Sequence, residues 1–375
     1  MNEFYLNNIS QLYIHRSVEK LPGTLRGLEK LRELGIHEHR VVNDRSEIPG
    51  EHLRQSTLYL SPVRGEPLGH CPGSKGHICC NYHTLDLYMG CSLGCSYCVM
   101  QSYLNFSPIT IQMDTSPMID SIRRLAETNP DRQIRVGTGE VGDSLLFDPL
   151  FQLNGELMAA LADIPNLVLE FKTKTDYVDH LLQLPGRKFT VIGFSLNTDE
   201  ISRAEDGYSV SIIRRFEAAK RVLDAGMSVA FHFDPMIRSG DWKPGYEKLC
   251  NSILELHQYA LEECEDPGNG LWPIAWVSMG TVRFTSALRD KIADRPYLYD
   301  EYSRGRDGKF RYLQPLRAEL YRLIHGNLQP ILEGERPLRL YMCMESDAMW
   351  RQVFGNTPAH IPELKPIFQP LRSAP

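Results

Sequence analysis

The segment Cys91-Ser-Leu-Gly-Cys95-Ser-Tyr-Cys98 directly follows an apolar stretch with strand character, TLDLYMG, at residues 84–90. In a parallel α/β sheet the loops that follow the strands carry the functional site, so this position favours a binding role for the three thiols. A structural zinc site needs four closing ligands, whereas three thiolates on one short loop leave a metal coordination position open. The pattern therefore predicts a metal centre that can bind a further ligand directly.

The distribution of cysteines also favours metal binding. Nine cysteines are present, and six of them lie close together, at Cys71, Cys79, Cys80, Cys91, Cys95 and Cys98. A secreted disulfide scaffold would be shorter and would usually have an even number of cysteines. The N-terminal segment MNEFYLNNIS has no basic region followed by an apolar one. We therefore expect a cytoplasmic protein with no membrane partner.

Composition and charge indicate a folded globular protein without a general attraction for polyanions. The 375 residues are 42% hydrophobic and 23% charged, which excludes a disordered or collagen-like chain. The net charge is -6 and the isoelectric point is about 6.1. Any binding to nucleic acid must therefore use a local basic patch.

Short β-branched or aromatic segments alternate with helical patterns from residue 84 onward. Six of these segments are predicted as strands: TLDLYMG (84–90), IRVGTG (134–139), LVLEFKT (167–173), FTVIGFSLN (189–197), SVAFHF (228–233) and IAWVSMG (274–280). The spacing of one helix face recurs twice, at Ile212, Phe216, Ala219 and Leu223, and at Leu249, Ile253, Leu256 and Ala260. Strands separated by crossover helices predict a parallel sheet with helices outside, either doubly wound or an open barrel.

The CxxxCxxC spacing, with an aromatic residue before the third cysteine, is similar to the signature of radical S-adenosylmethionine (SAM) enzymes. Seven further segments together resemble the spore photoproduct lyase family of that superfamily over most of residues 11–355: CSYCVMQSYLN, RVGTGEVGDSL, FKTKTD, GFSLN, SVAFHFDPMI, GKFRY and CMESDAMWRQVFG. The resemblance implies that Cys91, Cys95 and Cys98 hold a 4Fe-4S cluster whose fourth iron is chelated by SAM. It further implies a flavodoxin-type or ferredoxin-type reductase as electron donor, a 5′-deoxyadenosyl radical that abstracts hydrogen, and a thymine dimer in damaged DNA as substrate.

With this resemblance we expect an α/β fold built on a partial (β/α)6 TIM-type barrel. The predicted parts are a small N-terminal α/β subdomain (1–60), a Cys-rich linker loop (61–83), the barrel core (84–290) and a helical C-terminal extension (291–375). The extension contains a possible late strand at 339–342 and a basic hairpin at 303–312.

By the same resemblance, several side chains are expected to contact SAM. Tyr97 would lie beside the adenine and the cluster, Lys174 would pair with the carboxylate, and Ser195 would bind the methionyl or ribose end. The loop Gly137-Thr138-Gly139-Glu140 follows the second strand, and its two glycines permit close approach of the backbone. A loop amide or Glu140 is expected to meet the SAM ammonium group.

Two positions depart from the family pattern. The resemblance implies a hydrogen-donating cysteine in the second-strand loop and a helper tyrosine after the third cluster cysteine. This chain has Glu140-Val141-Gly142-Asp143 in the loop and Val99 after Cys98, and none of these side chains is a hydrogen-atom donor. The thiols of Cys71, Cys79, Cys80 and Cys343 are the candidates for a replacement donor or for a second metal centre. The predicted catalytic residues are accordingly Tyr97, Glu140 and Cys343.

The segment SRGRDGKFRY is the one dense basic patch of the sequence, with Arg304, Arg306, Lys309 and Arg311 interleaved with Phe310 and Tyr312. Its Asp-Gly pair predicts a hairpin turn. The resemblance implies that this hairpin wedges into duplex DNA, with cations on the phosphates and an aromatic ring beside an extruded base. A solvated surface hairpin is the alternative.

Two other functions remain open at this point. One is a radical SAM enzyme of the same family that acts on a small molecule, a nucleotide or a peptide, which the missing donor and the acidic charge favour. The other is a zinc-stabilised nucleic-acid-binding protein, with Cys80 or His83 as the fourth zinc ligand.

Overall fold

The computed structural model describes residues 2–71, 73, 76–104, 108–268, 270–334 and 336–372. The described strands are β1 Gln11–His15, β2 Arg40–Val42, β3 Thr57–Ser61, β4 Leu68–His70, β5 His83–Leu85, β6 Tyr88–Met89, β7 Ile109–Gln112, β8 Ile134–Thr138, β9 Leu167–Thr173, β10 Thr190–Ser195, β11 Ser228–Met236, β12 Ile274–Thr281, β13 Arg283–Phe284, β14 Ser303–Arg304, β15 Phe310–Arg311 and β16 Leu340–Met342. The described α-helices are α1 Asn2–Asn8, α2 Pro22–Glu33, α3 Ser116–Thr128, α4 Asp148–Phe151, α5 Leu153–Ala160, α6 Asp199–Glu205, α7 Ile212–Asp224, α8 Trp242–Glu263, α9 Ser286–Lys291, α10 Gln314–Leu328, α11 Asp347–Phe354 and α12 Lys365–Phe368.

A curled sheet with the strand order β16-β12-β11-β10-β9-β8-β5-β4 forms the body of the molecule. Every neighbouring pair from β16 to β5 is parallel, and only β4 runs antiparallel to its neighbour. Five of the six predicted core strands coincide with β8 to β12, and the late strand coincides with β16. The partial (β/α)6 barrel is therefore confirmed, with two added strands at its edges.

The predicted strand TLDLYMG is wrong as a single element. Its first part is β5 in the barrel sheet, whereas its last part is β6, which pairs antiparallel with β7 in a separate sheet. The chain passes between the sheets at Asp86 and Leu87, whose carbonyl oxygens accept hydrogen bonds from the side chain and the backbone of Gln112. One apolar run therefore serves two sheets, a break that an alternating pattern does not reveal.

The second sheet has the order β2-β1-β3-β7-β6. Its strands β1, β2 and β3 come from the N-terminal region, which also contains helix α2, in agreement with the predicted α/β subdomain. Strands β6 and β7 come from residues after position 83, so this sheet draws on both sides of residue 60. The N-terminal region is thus joined to the segments that flank the cysteine loop.

Part of the predicted linker loop is also a strand. Residues Leu68–His70 form β4, which pairs with β5 through Leu68 and Leu85 and through His70 and His83. The expectation that residues 61–83 form only a loop is wrong here, because three residues are too few to show a period in a stretch rich in glycine and proline.

The helical predictions agree with the structure. Helices α7 and α8 bury the predicted faces, although Phe216 is only partly buried. Gly226, just after the end of α7, has a φ of +70°, which a residue with a side chain rarely adopts. Helices α10 and α11 form the predicted C-terminal extension.

Charged and aromatic side chains fill the interior of the barrel below the ends of the strands. The Glu170 carboxylate binds His232 Nε2 at 2.7 Å and accepts from Trp276 Nε1 at 3.1 Å. Burial alone would raise the pKa of Glu170, but His232 and the nearby cations hold it at about 2. Arg135 lies 4.2 Å from the Trp276 ring centroid. This polar floor limits the open space to the upper part of the barrel.

Within the described residues, no helix combines the length and the apolar character that crossing a membrane requires.

Helix packing in the N-terminal region gives a test of the fold. A Cβ atom on Gly27 of α2 would lie 2.2 Å from Cε1 of Phe151 in α4. We expect Gly27→Ala to lower the free energy of unfolding by about 1–3 kcal/mol through overpacking. In Gly326→Ala on α10, the added Cβ meets nothing within 4 Å, and it should raise stability by about 0.5–1 kcal/mol. Urea denaturation measures both changes, and equal stabilities of the two variants would contradict the α2–α4 packing.

Candidate active site

A cavity of about 680 Å³ opens where the parallel barrel strands end. Its walls come from the cysteine loop, from the residues that end β8, β9 and β10, and from the N-terminal region. Eight of the residues predicted from the sequence line it: Cys91, Cys95, Cys98, Tyr97, Gly139, Glu140, Lys174 and Ser195. The fold therefore brings the predicted cluster ligands and most predicted SAM contacts into one space.

The cysteine loop is held in a compact turn. Gly94 has a φ of +78°, which allows the chain to reverse between Cys91 and Cys95. The amide of Cys98 donates to the Cys95 carbonyl at 3.3 Å, and the Gln101 side chain donates to the same carbonyl at 2.7 Å. From the N-terminal region, Gln55 accepts from the Cys91 amide at 3.1 Å. The three thiols are thus fixed relative to one another by local bonds.

The protein alone does not stabilise three thiolates at this site. Burial raises the pKa of all three thiols, that of Cys95 to about 12. The positive charge of Lys174 lowers the pKa of Cys95 and Cys98, but burial has the larger effect. A metal centre that binds the sulfur atoms supplies the missing positive charge, because a coordinating thiol is deprotonated outright. The donor set therefore fits an iron-sulfur cluster, which thiolates hold in proteins.

A single-ion site does not fit equally well. Among the described residues, no three His, Cys, Asp or Glu side chains converge closely enough to hold one metal ion. A cluster with several irons binds each thiolate on a different iron, so its ligands need not converge on one point. The zinc alternative and a second metal centre at Cys71, Cys79 and Cys80 stay predictions from the sequence.

The segment from Glu205 to Tyr208, here called the clasp, holds the cysteine loop from outside. The Ser96 amide donates to the Glu205 carbonyl at 2.9 Å, and the Tyr208 amide donates to the Leu93 carbonyl at 2.7 Å. A Cβ atom on Gly207 would lie 2.0 Å from the Leu93 carbonyl oxygen, so only glycine permits this approach. The clasp follows α6, and it ties the barrel to the predicted cluster loop.

Asp206, at the centre of the clasp, is the residue that sequence reasoning missed. Its fully buried carboxylate binds Arg215 at 2.9 Å, lies 3.8 Å from the Lys174 ammonium and accepts from the Tyr97 hydroxyl. Its carbonyl oxygen lies 3.6 Å from the Cys95 sulfur. Burial alone would raise the pKa of Asp206, but Lys174 and Arg215 hold it below its ordinary value. A lone Asp after a short helix carries no sequence signal for this role.

Lys174, Tyr97 and Ser195 are connected through this group. The Lys174 ammonium lies 5.5 Å from the Tyr97 ring centroid. The Ser195 carbonyl accepts from Arg215 at 2.7 Å. The three predicted SAM contacts thus line one wall of the cavity, supported from behind by the Asp206–Arg215 ion pair.

The second-strand loop is divided between the cavity and the core. Gly139, with a φ of +95°, and Glu140 line the cavity. Gly137 and Thr138 do not line it, so their prediction as SAM contacts gains no support from the described cavity. Both are buried in β8, where a Cβ on Gly137 would collide with the Tyr82 hydroxyl and Thr138 donates to Ser144 at 2.8 Å. Strand β8 ends at Thr138, so Gly137 and Thr138 belong to the strand and the loop begins at Gly139.

Asp143 of the same loop has a structural role that the sequence did not indicate. Its buried carboxylate accepts from the Lys174 amide at 2.8 Å and from Thr173 at 2.9 Å. It also accepts from the amides of Leu145 and Leu146 at 3.0 Å. These bonds fix the end of β9, from which Lys174 projects.

The four candidate donor thiols lie outside the cavity lining. Cys79 is exposed and lines a separate space of about 580 Å³, while Cys80 has a pKa lowered to about 6 by its bond to Cys79. Cys343 follows β16 at the edge of the sheet, where its amide donates to Met279 at 2.7 Å. The prediction of Cys343 as a catalytic residue therefore gains no support, because the residue does not face the described cavity.

The basic hairpin forms as predicted. Strands β14 and β15 pair antiparallel, Gly308 has a φ of +78°, and β13 extends the pair to three strands. Arg304 and Arg306 are exposed and Lys309 is partly exposed. Arg311 is buried and binds Asp307 at 2.6 Å, so its prediction as a phosphate contact is wrong. The sequence pattern of cations does not show that the Arg311 side chain points inward.

The cavity lining also includes charged residues that the sequence analysis did not select. They are Lys172, His232, Asp234 and Arg283. The Arg283 guanidinium binds both oxygens of Asp234, at 2.9 and 3.0 Å. Lys172 lies two residues before Lys174, and Asp234 two residues after His232, so the alternation of strand side chains is the signal that could have identified them.

Comparison with known proteins agrees with this site. A sequence model of the family described as spore photoproduct lyase matches residues 76–265. The chain belongs to the spore photoproduct lyase family. Three relatives named spore photoproduct lyase share this similarity: those of Geobacillus sp. (24% identical, 46% of this chain and 50% of the relative), Clostridium acetobutylicum (26%, 54% and 60%) and Bacillus subtilis (25%, 60% and 67%). The chain thus spans half to two thirds of the length of these relatives.

Solved structures of spore photoproduct lyase share the fold. A complex with the dinucleoside spore photoproduct has a TM-score of 0.72 at 21% identity, covering 89% of this chain and 98% of the other. A mutant with bound AdoMet and the same dinucleoside has a TM-score of 0.72 at 20% identity, with the same coverage. The partial barrel and its surrounding elements are therefore those of the family.

The buried ion pair of the clasp yields a stability prediction. Asp206→Asn leaves the Arg215 charge uncompensated, so we expect the free energy of unfolding to fall by about 3–5 kcal/mol at neutral pH. Asp199→Asn, which breaks an exposed pair with Lys248, should cost at most about 1 kcal/mol.

The same variant has a predicted pH dependence. Because the pKa of Asp206 is lowered in the folded protein, its contribution is complete above the unfolded pKa of about 4 and is lost as the pH falls further. Denaturation curves at several pH values should show that the free energies of unfolding of the parent and of Asp206→Asn approach each other in acid. A constant difference across this range would contradict a charged Asp206.

Proposed function

We propose that this chain is a radical SAM enzyme of the spore photoproduct lyase type, with a thymine dimer of the spore-photoproduct kind in DNA as substrate. The observation that carries the proposal is that three thiols share one cavity with Tyr97, Lys174 and Ser195. Family membership and the fold of the solved lyases support the same reading.

The residues of the cavity have different binding roles. Cys91, Cys95 and Cys98 would hold a 4Fe-4S cluster, and Lys174 would bind the SAM carboxylate. When bound, the cluster and SAM supply a 5′-deoxyadenosyl radical by one-electron cleavage. Asp206, 3.8 Å from the Lys174 ammonium, directs it along the wall, and Glu140 offers a carboxylate to the SAM ammonium. The Tyr97 ring lines the same end of the cavity, 5.5 Å from the Lys174 ammonium.

Loss of one cysteine tests the cluster assignment. We expect Cys95→Ala, reconstituted anaerobically with iron and sulfide, to lose brown colour and bound iron and to form no 5′-deoxyadenosine from SAM and dithionite. Cys264→Ala removes a partly exposed thiol after α8 and serves as the matched control, which should behave as the parent. Formation of 5′-deoxyadenosine by Cys95→Ala at the parent rate would overturn the assignment.

Damaged DNA as partner is supported by the hairpin and its position. Strand β13 carries Arg283 in the cavity wall and pairs with β15 of the hairpin, so the two are continuous. The Arg304 guanidinium lies 5.8 Å from the Phe310 ring centroid, which places a cation beside an aromatic ring at the surface. Cations on phosphates and a ring beside an extruded base suit this arrangement.

Charge removal on the hairpin tests the DNA partner. Neutralising Arg304, Arg306 and Lys309 together should weaken duplex binding and reduce the slope of log K against log salt by up to about 2.7. Titrations at several salt concentrations measure this slope. Arg311 is left intact because it holds Asp307.

The matched control removes the same charge elsewhere, with Lys188→Gln, Arg203→Gln and Lys248→Gln, and should leave the slope nearly unchanged. An equal effect of both triple variants would show that binding depends only on net charge. Failure of the parent to bind duplex DNA at low salt would remove DNA as the partner.

A second candidate is a family member that acts on a small molecule, a nucleotide or a peptide. It is favoured by the described cavity lining, in which the three predicted cluster cysteines are the only thiols and Glu140 occupies the loop where the family resemblance implies a donor. Formation of 5′-deoxyadenosine without restoration of thymine from a dithymine photoproduct would select this candidate.

The electron donor proposed for the chain is a reductase of the flavodoxin or ferredoxin type. The proposed location is the cytoplasm, where reducing conditions suit nine cysteines that are all free thiols in the structure.

A further inference from the structure

Strand β9 presents two lysines to the same cavity. Lys172 and Lys174 are two residues apart and therefore project from one face of the strand, with their Cα atoms about 6.6 Å apart. Each ammonium lies near one carboxylate and one tyrosine ring. For Lys174 these are Asp206 at 3.8 Å and Tyr97 at 5.5 Å. For Lys172 they are Glu140 at 3.7 Å and Tyr82 at 4.2 Å.

The Lys172 ammonium is poorly satisfied by the protein. Its three N–H groups have no acceptor within hydrogen-bond distance among the described residues, because the Glu140 oxygen lies beyond that range. The Tyr82 hydroxyl and one oxygen of Glu170 are buried without a described hydrogen-bond partner, but they lie outside the cavity lining, and Arg135 lies 3.8 Å from that oxygen. Buried polar groups are normally hydrogen-bonded. Because Lys172 does line the cavity, its ammonium is available to a polar ligand there.

The surroundings of Lys172 indicate an anionic ligand on the substrate side. Arg283, on the same wall, is already bound to both oxygens of Asp234, so Lys172 is the loosely paired cation of that region. The wall continues through β13 and β15 to the exposed cations of the basic hairpin. A nucleic-acid strand bound along these cations would bring its phosphates toward Lys172.

We propose that Lys172 is the anion contact of the substrate subsite, where its ammonium binds a phosphodiester oxygen of a nucleic-acid strand. This inference rests on the proposed function, in which Lys174 serves the SAM carboxylate. Glu140 links the two subsites, since it pairs with Lys172 in the absence of ligand and faces the SAM ammonium in the proposed complex. Strand β9 thus gives one cation to the cofactor and one to the substrate.

Binding of a minimal ligand with one phosphate tests the subsite. The probe is thymidylyl-thymidine, and its uncharged methylphosphonate analogue is the comparison, both titrated into the reconstituted 375-residue chain. Lys172→Met should raise the dissociation constant of the charged probe at least tenfold, the loss expected for a charge-assisted hydrogen bond, and leave the analogue unchanged. Lys174→Met should instead lower the affinity for SAM and leave the affinity for the dinucleotide unchanged.

Glu140→Gln is a second variant that retains Lys172. This variant removes the carboxylate that pairs with the Lys172 ammonium. In the absence of SAM it should therefore bind the charged probe several-fold more tightly, with no change in its affinity for the analogue. Retained SAM affinity in Lys172→Met shows that this variant is folded. If it loses SAM binding, Glu140→Gln alone decides the proposal.

The outcomes separate the subsite from the proposed function. Three results would overturn the phosphate subsite. In Lys172→Met, the affinities for the charged probe and its analogue could fall equally, or neither could change. The parent could also bind the charged probe no more tightly than the analogue. If the parent protein does not bind SAM, the proposed function is overturned instead, whether or not the dinucleotide binds. An unchanged probe affinity in Glu140→Gln would also contradict the subsite.

Discussion

The buried ion pair between Asp206 and Arg215 is the interaction on which the candidate site depends. Both side chains are fully buried and 2.9 Å apart. The same carboxylate accepts from Tyr97 and faces Lys174, while its backbone contacts the Cys95 sulfur. A buried carboxylate is costly unless it is paired and hydrogen-bonded. The pair therefore couples the cysteine loop, strand β9 and the clasp into one unit, and a change in any of them reaches the other two.

Much of the fold followed from the alternation of strand and helix patterns. Strands β8 to β12 are long and β-branched, so their period was visible, and helices α7 and α8 show a clear buried face. The exceptions are short or split elements. Strand β4 has three residues, and the apolar run at 84–90 serves two sheets. Such elements are decided by long-range pairing, which a local pattern does not contain.

The candidate site was predicted in part for a similar reason. Cysteine spacing and strand ends identified the residues that project from one local segment, and these do line the cavity. Asp206 and Asp143 were missed because their roles arise from contacts between distant segments, whereas Lys172 could have been identified from its position in β9, two residues before Lys174. Arg311 was assigned to the surface because sequence spacing does not show that Asp307 turns it inward. Polar residues at strand ends are readable from sequence, whereas the buried charges that support them are not.

The central claim is that three cysteines hold a cluster to which SAM binds directly. The most direct measurement is the electron paramagnetic resonance spectrum of the reconstituted, dithionite-reduced protein with and without SAM. The account predicts the signal of a reduced 4Fe-4S cluster whose g values shift when SAM is added, because SAM becomes a ligand of the iron that has no cysteine. A spectrum without a cluster signal, or a cluster signal unchanged by saturating SAM, would contradict it.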